Sequence, residues 1–358
     1  MNLYVSTRKG LFTFAREDGA WAIRDVDFLG DPVTLTLPAS SGVFAALNLG
    51  HFGTKLRRKT DGEWSEVSVP VYPEQPADAG DDVKWSLQQI WALEESAGRL
   101  WAGTIPGGLF YSDDAGDSWT LVRSLWDREE RKQAFGGGYD APGIHSIDVH
   151  PERPDEIVIA ISCGGVWRTR DRGNQWDLVG DGLVADYMPD SKRDAKAIQD
   201  PHRIQRCRAV PDTVWMQHHN GVFRSVDGGV SWTALDPPPS KFGFAVAAHP
   251  TDPQTAWFVP AVKDECRVPV DGRVVVSRTR DGGKTFEVLR EGLPQEHAYD
   301  LVFRHALDVD ASGEVLAFGS TTGALWLSEN GGDRWTTLST HLPPIYAVRF
   351  EQDAEKRA

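Results

Sequence analysis

The chain has 358 residues, 38 basic and 52 acidic side chains, a formal net charge of −14 at pH 7 and 14 tryptophans. An acidic chain without a basic stripe is a poor partner for nucleic acid or an anionic membrane surface, and no apolar run of about 18 residues is present to span a bilayer. Apolar content of 40% with 25% charged residues belongs to a globular protein.

The first residues, LYVST, GLFTF and WAIRDV, alternate apolar and polar side chains and read as three strands. No basic segment followed by an apolar stretch precedes them, so no signal peptide is expected. The cysteines, Cys163, Cys207 and Cys266, are odd in number and lack metal-finger spacing. Cytoplasmic location with free thiols is the expectation, with Cys163 and Cys207 as buried strand residues.

From residue 112 onward the chain repeats itself. SDDAGDSW (112–119), TRDRGNQW (169–176), SVDGGVSW (225–232), TRDGGKTF (279–286) and SENGGDRW (328–335) align without gaps as Ser/Thr-x-Asp/Asn-x-Gly-x-x-Trp/Phe. Two degenerate copies end at Trp21 and Trp64, so aromatic residues recur at 21, 64, 119, 176, 232, 286 and 335. The pattern has the chemistry of a tight turn. A hydroxyl and a carboxylate or amide oxygen accept backbone N–H groups, glycine takes the positive-φ position, and the aromatic packs inward. On this reading Asp114, Asp171, Asp227 and Asp281 build turns and are not catalytic acids.

Each unit of about 50 residues divides into four short strands, as in IHSIDVHP, IVIAISC, VWRTR and QWDLV around the second full copy. Seven such units predict an all-β chain, a single seven-bladed β-propeller domain spanning residues 1–358. The N-terminus supplies strands two to four of one blade and IYAVRFE its first strand, so both termini make the closing blade.

The repeats resemble the Asp-box, or BNR, repeat of sialidases, the sortilin-type ten-bladed domain, xyloglucan-active hydrolases and photosystem II assembly factors. The resemblance implies a propeller whose box turns lie far from any ligand. Sialidase chemistry does not carry over. The first blade reads Tyr4-Val5-Ser6-Thr7-Arg8-Lys9-Gly10 without an Arg-Ile-Pro motif, and Arg203-Ile204-Gln205 lacks the proline. Xyloglucan-active hydrolases pair two propellers around a cleft, and this chain has one. The sequence is most similar to bacterial BNR-repeat, sialidase-like or photosystem II assembly factor-like single propellers, which transfer no activity.

Function is expected on the face opposite the box turns, where the connections are uneven. Long ones are VYPEQPADAGDDVKWSLQ, LWDREERKQAFGGGYDAPG and GDGLVADYMPDSKRDAKAIQDPH, and KDECRVPVDG interrupts one blade between its second and third strands. Gly136-Gly137-Gly138 reads as a loop segment, not a phosphate loop. His150 and His249 fall in turns on the box face, where a surface role is expected. Aligned first strands place Gln89, His145, Gln205, Phe244, His305 and Tyr346 in one ring. Aligned second strands match His218 with Ser162 and Thr321, and His219 with Cys163 and Thr322. His202, His297 and His51 are assigned to nearby loops.

Three readings of this imidazole-rich funnel stand side by side. His145, His218 and His305 could hold a divalent metal at the channel mouth. A histidine with Asp140, Asp186 or Asp300 could do acid–base work. Or the side chains hydrogen-bond across a water-filled channel. The expected catalytic residues are His145, His218, His305 and Asp300, and the expected ligand-binding residues are Tyr139, Asp140, His202, Arg203, His219 and Arg8. Arg267 is a further cation on that face. The expected function is binding, and hydrolysis or another transformation, of a small polar, sugar-like ligand. The alternative is a non-catalytic scaffold for a protein partner. Neither nucleic acid nor membrane is expected as a partner.

Overall fold

The computed structural model describes residues 1–80, 82–137 and 140–351. Its regular structure is seven four-stranded antiparallel sheets, the blades of a seven-bladed β-propeller, with helical turns of only three to five residues between them. No helix among the described residues is long and apolar enough to cross a membrane.

The closing blade is built as the sequence predicts. Its strands run in the order Ile345–Phe350, Asn2–Thr7, Gly10–Glu17, Ala20–Asp27. Leu3 faces Phe350 and Val5 faces Val348 across the seam. All four side chains are buried, and Asn2 Nδ2 donates to Glu351 Oε2 at 2.6 Å beyond the last pair. Apolar burial fixes this register, because a slip of one residue would turn Leu3 and Val5 to the opposite face.

Four of the repeat turns share one set of bonds. Ser112 Oγ donates to Asp114 Oδ1 at 2.8 Å and accepts Gly116 N–H at 2.8 Å, while Asp114 Oδ1 accepts Ser118 N–H at 2.8 Å. The same set recurs around Thr169 and Asp171, Thr279 and Asp281, and Ser328 and Asn330. Hydrogen bonds from Ser118 and Thr285 hold the carboxyls of Asp114 and Asp281 down at about 2. The turn demands two consecutive left-handed residues, not one. Gly228-Gly229, Gly282-Gly283 and Gly331-Gly332 supply them without penalty, whereas Ala115 (φ 55°) and Arg172 (φ 58°) adopt the conformation with a Cβ present. The two degenerate copies are a different turn: Asp18-Gly19 and Asp61-Gly62 close two-residue hairpins. Their tryptophans, Trp21 and Trp64, are half-buried, while Trp176, Trp232 and Trp335 are buried.

The chain divides into two compact units, one of Met1–Thr36, His202–Gly228 and Trp232–Ala358, the other of Leu37–Pro201 and Gly229–Ser231. Each has its own aromatic core. Trp257, Trp326 and Trp335 pack with Phe14, Phe318 and Phe350 in the first, and Trp101, Trp167 and Trp176 with Ile144, Ile157 and Ile159 in the second. Most tryptophans therefore serve packing within and between strands.

Candidate functional site

Histidine is the residue type on which the sequence and the structure part most. His150 is buried, not a surface residue, and its Nδ1 accepts the N–H groups of Glu152 and Arg153 at 3.1 Å. His249 does the same for Thr251 and Asp252 at 3.1 and 3.0 Å, and burial holds its imidazole below the usual range. His218 closes the turn to the third strand of its blade by accepting Asn220 N–H at 3.1 Å. It ends the strand Val214–His218, one residue out of the expected register: Val214 pairs with Ser225 as Ile157 pairs with Thr169, so His218 matches Ile161 and His219 matches Ser162. Both Cys163 and Cys207 are buried but neither is on a strand: Cys163 lies in a turn at φ 51°, and Cys207 follows the end of Pro201–Arg206. Burial raises the Cys207 thiol, which suits no nucleophile.

His145 lies in the second unit, the second residue of its strand, Ile144–Val149. Its Nε2 donates to the Pro201 carbonyl at 2.8 Å and its Nδ1 meets Ser146 Oγ at 2.9 Å, with no exposed surface. A carbonyl only accepts, so Nε2 carries the proton. His202, assigned to a loop by sequence, is instead the second residue of the six-residue strand Pro201–Arg206. Its Nδ1 donates to the Gly243 carbonyl at 2.6 Å. Each imidazole thus ties its strand to the first residue of the next blade's first strand. Gln205, placed in the ring by sequence, lies three residues further along, and its side chain accepts Ala248 N–H at 3.0 Å.

Around His202 the first unit gathers aromatic and cationic side chains. Phe244 stacks on its ring at 4.4 Å, Phe242 meets it edge-on at 5.9 Å, and the half-buried His219 ring lies 5.5 Å away. The guanidinium of Arg304 is 5.1 Å from the Phe244 centroid and that of Arg267 is 5.3 Å from it. Arg267 reaches this ring from the insertion after Ala256–Pro260, steadied by Asp264 Oδ1 at 2.5 Å. Leu301 packs against Phe242 and Phe244, and on the same segment stand Tyr299, exposed by 66%, and Asp300. Asp300 Oδ1 accepts Ser320 Oγ at 2.7 Å and the Thr322 hydroxyl.

The remaining expected residues lie elsewhere or serve other partners. His305 precedes the strand Leu307–Val309 and forms a parallel bridge with Ala347, its carbonyl accepting Val348 N–H at 2.9 Å. Arg203 lies within electrostatic reach of the buried Asp308 carboxyl. Burial pushes Asp308 up, while Arg349, the N–H groups of Phe350 and Val309, and Arg203 pull it down. Arg8 is exposed in the hairpin after Asn2–Thr7, and Asp140 is exposed at φ 58°. Asp186 is paired with Arg193 at 2.5 Å. Tyr139, like Gly138, lies outside the described residues. The metal-capable group found among the described residues contains His202 and His219, and not His145, His218 or His305.

Sequence reasoning missed Arg304 and Tyr299 and misplaced His202. Seven residues separate the end of the first strand from the start of the second in three blades, Val149 to Ile157, Arg206 to Val214 and Ala248 to Ala256. Counting that interval back from Val214 would have put His202 level with His145 and Phe244.

No family model matches the chain. A xyloglucanase of Paenibacillus sp. is 23% identical over 279 residues, which are 69% of this chain and 25% of that protein. The chain thus spans about a quarter of the length of this curated relative. The crystal structure of an ancestral GH74 enzyme superimposes with a TM-score of 0.57 at 15% identity, covering 89% of this chain and 38% of that one. YCF48 bound to D1 peptide superimposes with a TM-score of 0.53 at 14% identity, covering 86% and 82%. These likenesses are those of the propeller fold.

Proposed function

We propose that the chain binds a small polar, sugar-like ligand at the cluster around Phe244, with His219, Arg267 and Arg304 as hydrogen-bond donors, His202 as an acceptor through Nε2 and Tyr299 as a stacking face. The observation that carries the reading is the convergence of two imidazoles and two guanidiniums from separate segments on one pair of phenyl rings. Polar groups converging on an apolar floor are how ligand sites are built. The similarity to a xyloglucanase favours a saccharide. Hydrolysis needs two carboxyl groups flanking the scissile bond. Asp300 supplies one on the Leu301 segment, and the cluster's role is to bind. We place the protein in the cytoplasm, where Cys163, Cys207 and Cys266 remain free thiols. Its repeats align it with single BNR-type propellers, and we treat residues 1–358 as one domain.

The test is a calorimetric titration with xyloglucan oligosaccharides, wild type against Arg304→Ala. Binding by the wild type that weakens at least tenfold in the variant is the expected result. Equal binding by both removes the Phe244 cluster as the site. The second reading, a scaffold for a peptide partner, draws on the likeness to YCF48 bound to D1 peptide. A partner recovered from cell extract by the wild type and equally by Arg304→Ala, with no saccharide binding, would favour it.

A further inference from the structure

We propose that His202 and His219 form a binding site for a divalent transition metal of the zinc, nickel or copper type, distinct from the histidine set expected from sequence. Their ligand nitrogens lie within 4.8 Å of each other. Two zinc–nitrogen bonds of about 2.0–2.1 Å at a tetrahedral angle hold their nitrogens about 3.3 Å apart. The gap to be closed is at most about 1.5 Å, within reach of a rotation of the half-buried His219 ring.

The orientation of His202 is already that of a metal ligand. Its Nδ1–H donates to the Gly243 carbonyl at 2.6 Å, which fixes the ring and its tautomer, so the coordinating nitrogen is Nε2. The Phe244 ring stacked at 4.4 Å holds the imidazole plane from one side, and His202 is 1% exposed. His219 occupies the first residue of the turn between Val214–His218 and Gly221–Ser225, where it is half-buried and its ring lies 5.5 Å from that of His202. Asp200 stands two residues before His202 in the chain, so the segment that carries the first imidazole also carries a carboxylate.

Donor chemistry selects the ion. Imidazoles favour zinc, copper and nickel over magnesium and calcium, which prefer oxygen ligands. Arg267 and Arg304, both within 5.5 Å of the Phe244 centroid, would oppose a bare cation and favour one that carries an anion or hydroxide. The inference goes beyond the saccharide reading, and the two fail separately: a metal titration uses no sugar, and a sugar titration uses chelator-treated protein.

The experiment is a titration of chelator-treated full-length protein with zinc chloride alone, and with cobalt chloride followed by visible absorption. One metal per chain is expected, with nitrogen-type cobalt bands in the wild type. His219→Ala should weaken zinc binding at least tenfold, and Cys266→Ser, the exposed thiol, should leave it unchanged. His202→Gln tests the buried partner, and His219→Ala, altered at a half-exposed turn position, keeps the test decisive if the buried substitution unfolds the chain. Zinc affinity unchanged in folded His219→Ala, or no zinc bound by the wild type, overturns the proposal. Magnesium binding equal to zinc binding overturns it as well.

Discussion

The repeat turns and the connections around Phe244 use the same residue types in opposite ways. In the turns the hydroxyl and the carboxylate or amide oxygen of the motif are satisfied within four positions in sequence, and the same economy holds for the histidine of a neighbouring turn. Asp114 bonds Ser112 and Ser118, and His150 bonds Glu152 and Arg153. Around Phe244 the partners are remote: His202 reaches Gly243, 41 positions on, and Asp300 is held from 20 and 22 positions away by Ser320 and Thr322. Local satisfaction makes a motif that recurs and can be read from the chain. Remote satisfaction makes a site that exists only once the blades are assembled.

Substitutions can break or sharpen that contrast. The largest effect is expected at the aromatic that follows a turn. Trp335→Ala empties a site only 2% exposed and should cost about 3–5 kcal/mol in denaturant unfolding, with saccharide affinity unchanged in the fraction that remains folded. Arg304→Ala should do the reverse, costing at least tenfold in affinity, about 1.4 kcal/mol, with little change in the unfolding midpoint. Asp171→Ala removes the acceptor for Gln175 N–H and Thr169 Oγ1. It should lower stability by about 1–2 kcal/mol and leave binding alone.

A pH series addresses the same turns. The carboxyls of Asp114 and Asp281 are held at about 2 in the folded chain by their hydrogen bonds, against about 3.9 in an unfolded one. Their folded values are depressed, so the stability they contribute is present above about pH 4 and lost as pH falls towards 2. Unfolding midpoints measured from pH 5 to pH 2 should therefore fall less in the Asp114→Asn, Asp281→Asn double variant than in the wild type. The smallest effect is a gain. Arg172 takes a left-handed conformation that glycine occupies in the turns at Gly228, Gly282 and Gly331. Arg172→Gly should stabilise by about 0.5–1 kcal/mol, the relief of backbone strain less the added freedom of the unfolded chain.

The same contrast explains what could be read from the chain. Blade number and the closing blade follow from five full copies of a local pattern, two remnants of it and the strands at the two ends of the chain, and the structure has both. The turns at Asp18 and Asp61 look like weak copies in sequence and prove to be shorter hairpins, because the Asp-Gly pair alone specifies a two-residue turn. The site was only partly legible. Arg267 could be named from loop position and His219 from the aligned second strands, one residue out of register, but His202 was displaced by a strand boundary drawn too late. Arg304 carries no motif; only its approach to Phe244, 60 residues earlier in the chain, distinguishes it from other surface arginines. His145 and His218 stand out in sequence because a polar residue near a strand end does not reveal whether its partner is a ligand or a backbone group of a neighbouring segment or turn.

Hydrogen–deuterium exchange with and without saturating xyloglucan oligosaccharide tests the central claim most directly, that ligand recognition belongs to the Phe244 connections and not to the turns. The account predicts new protection in residues 199–206, 217–221, 261–275 and 297–305, with the repeat turns at 112–119, 169–176, 279–286 and 328–335 unchanged. Protection confined to those turns would contradict it.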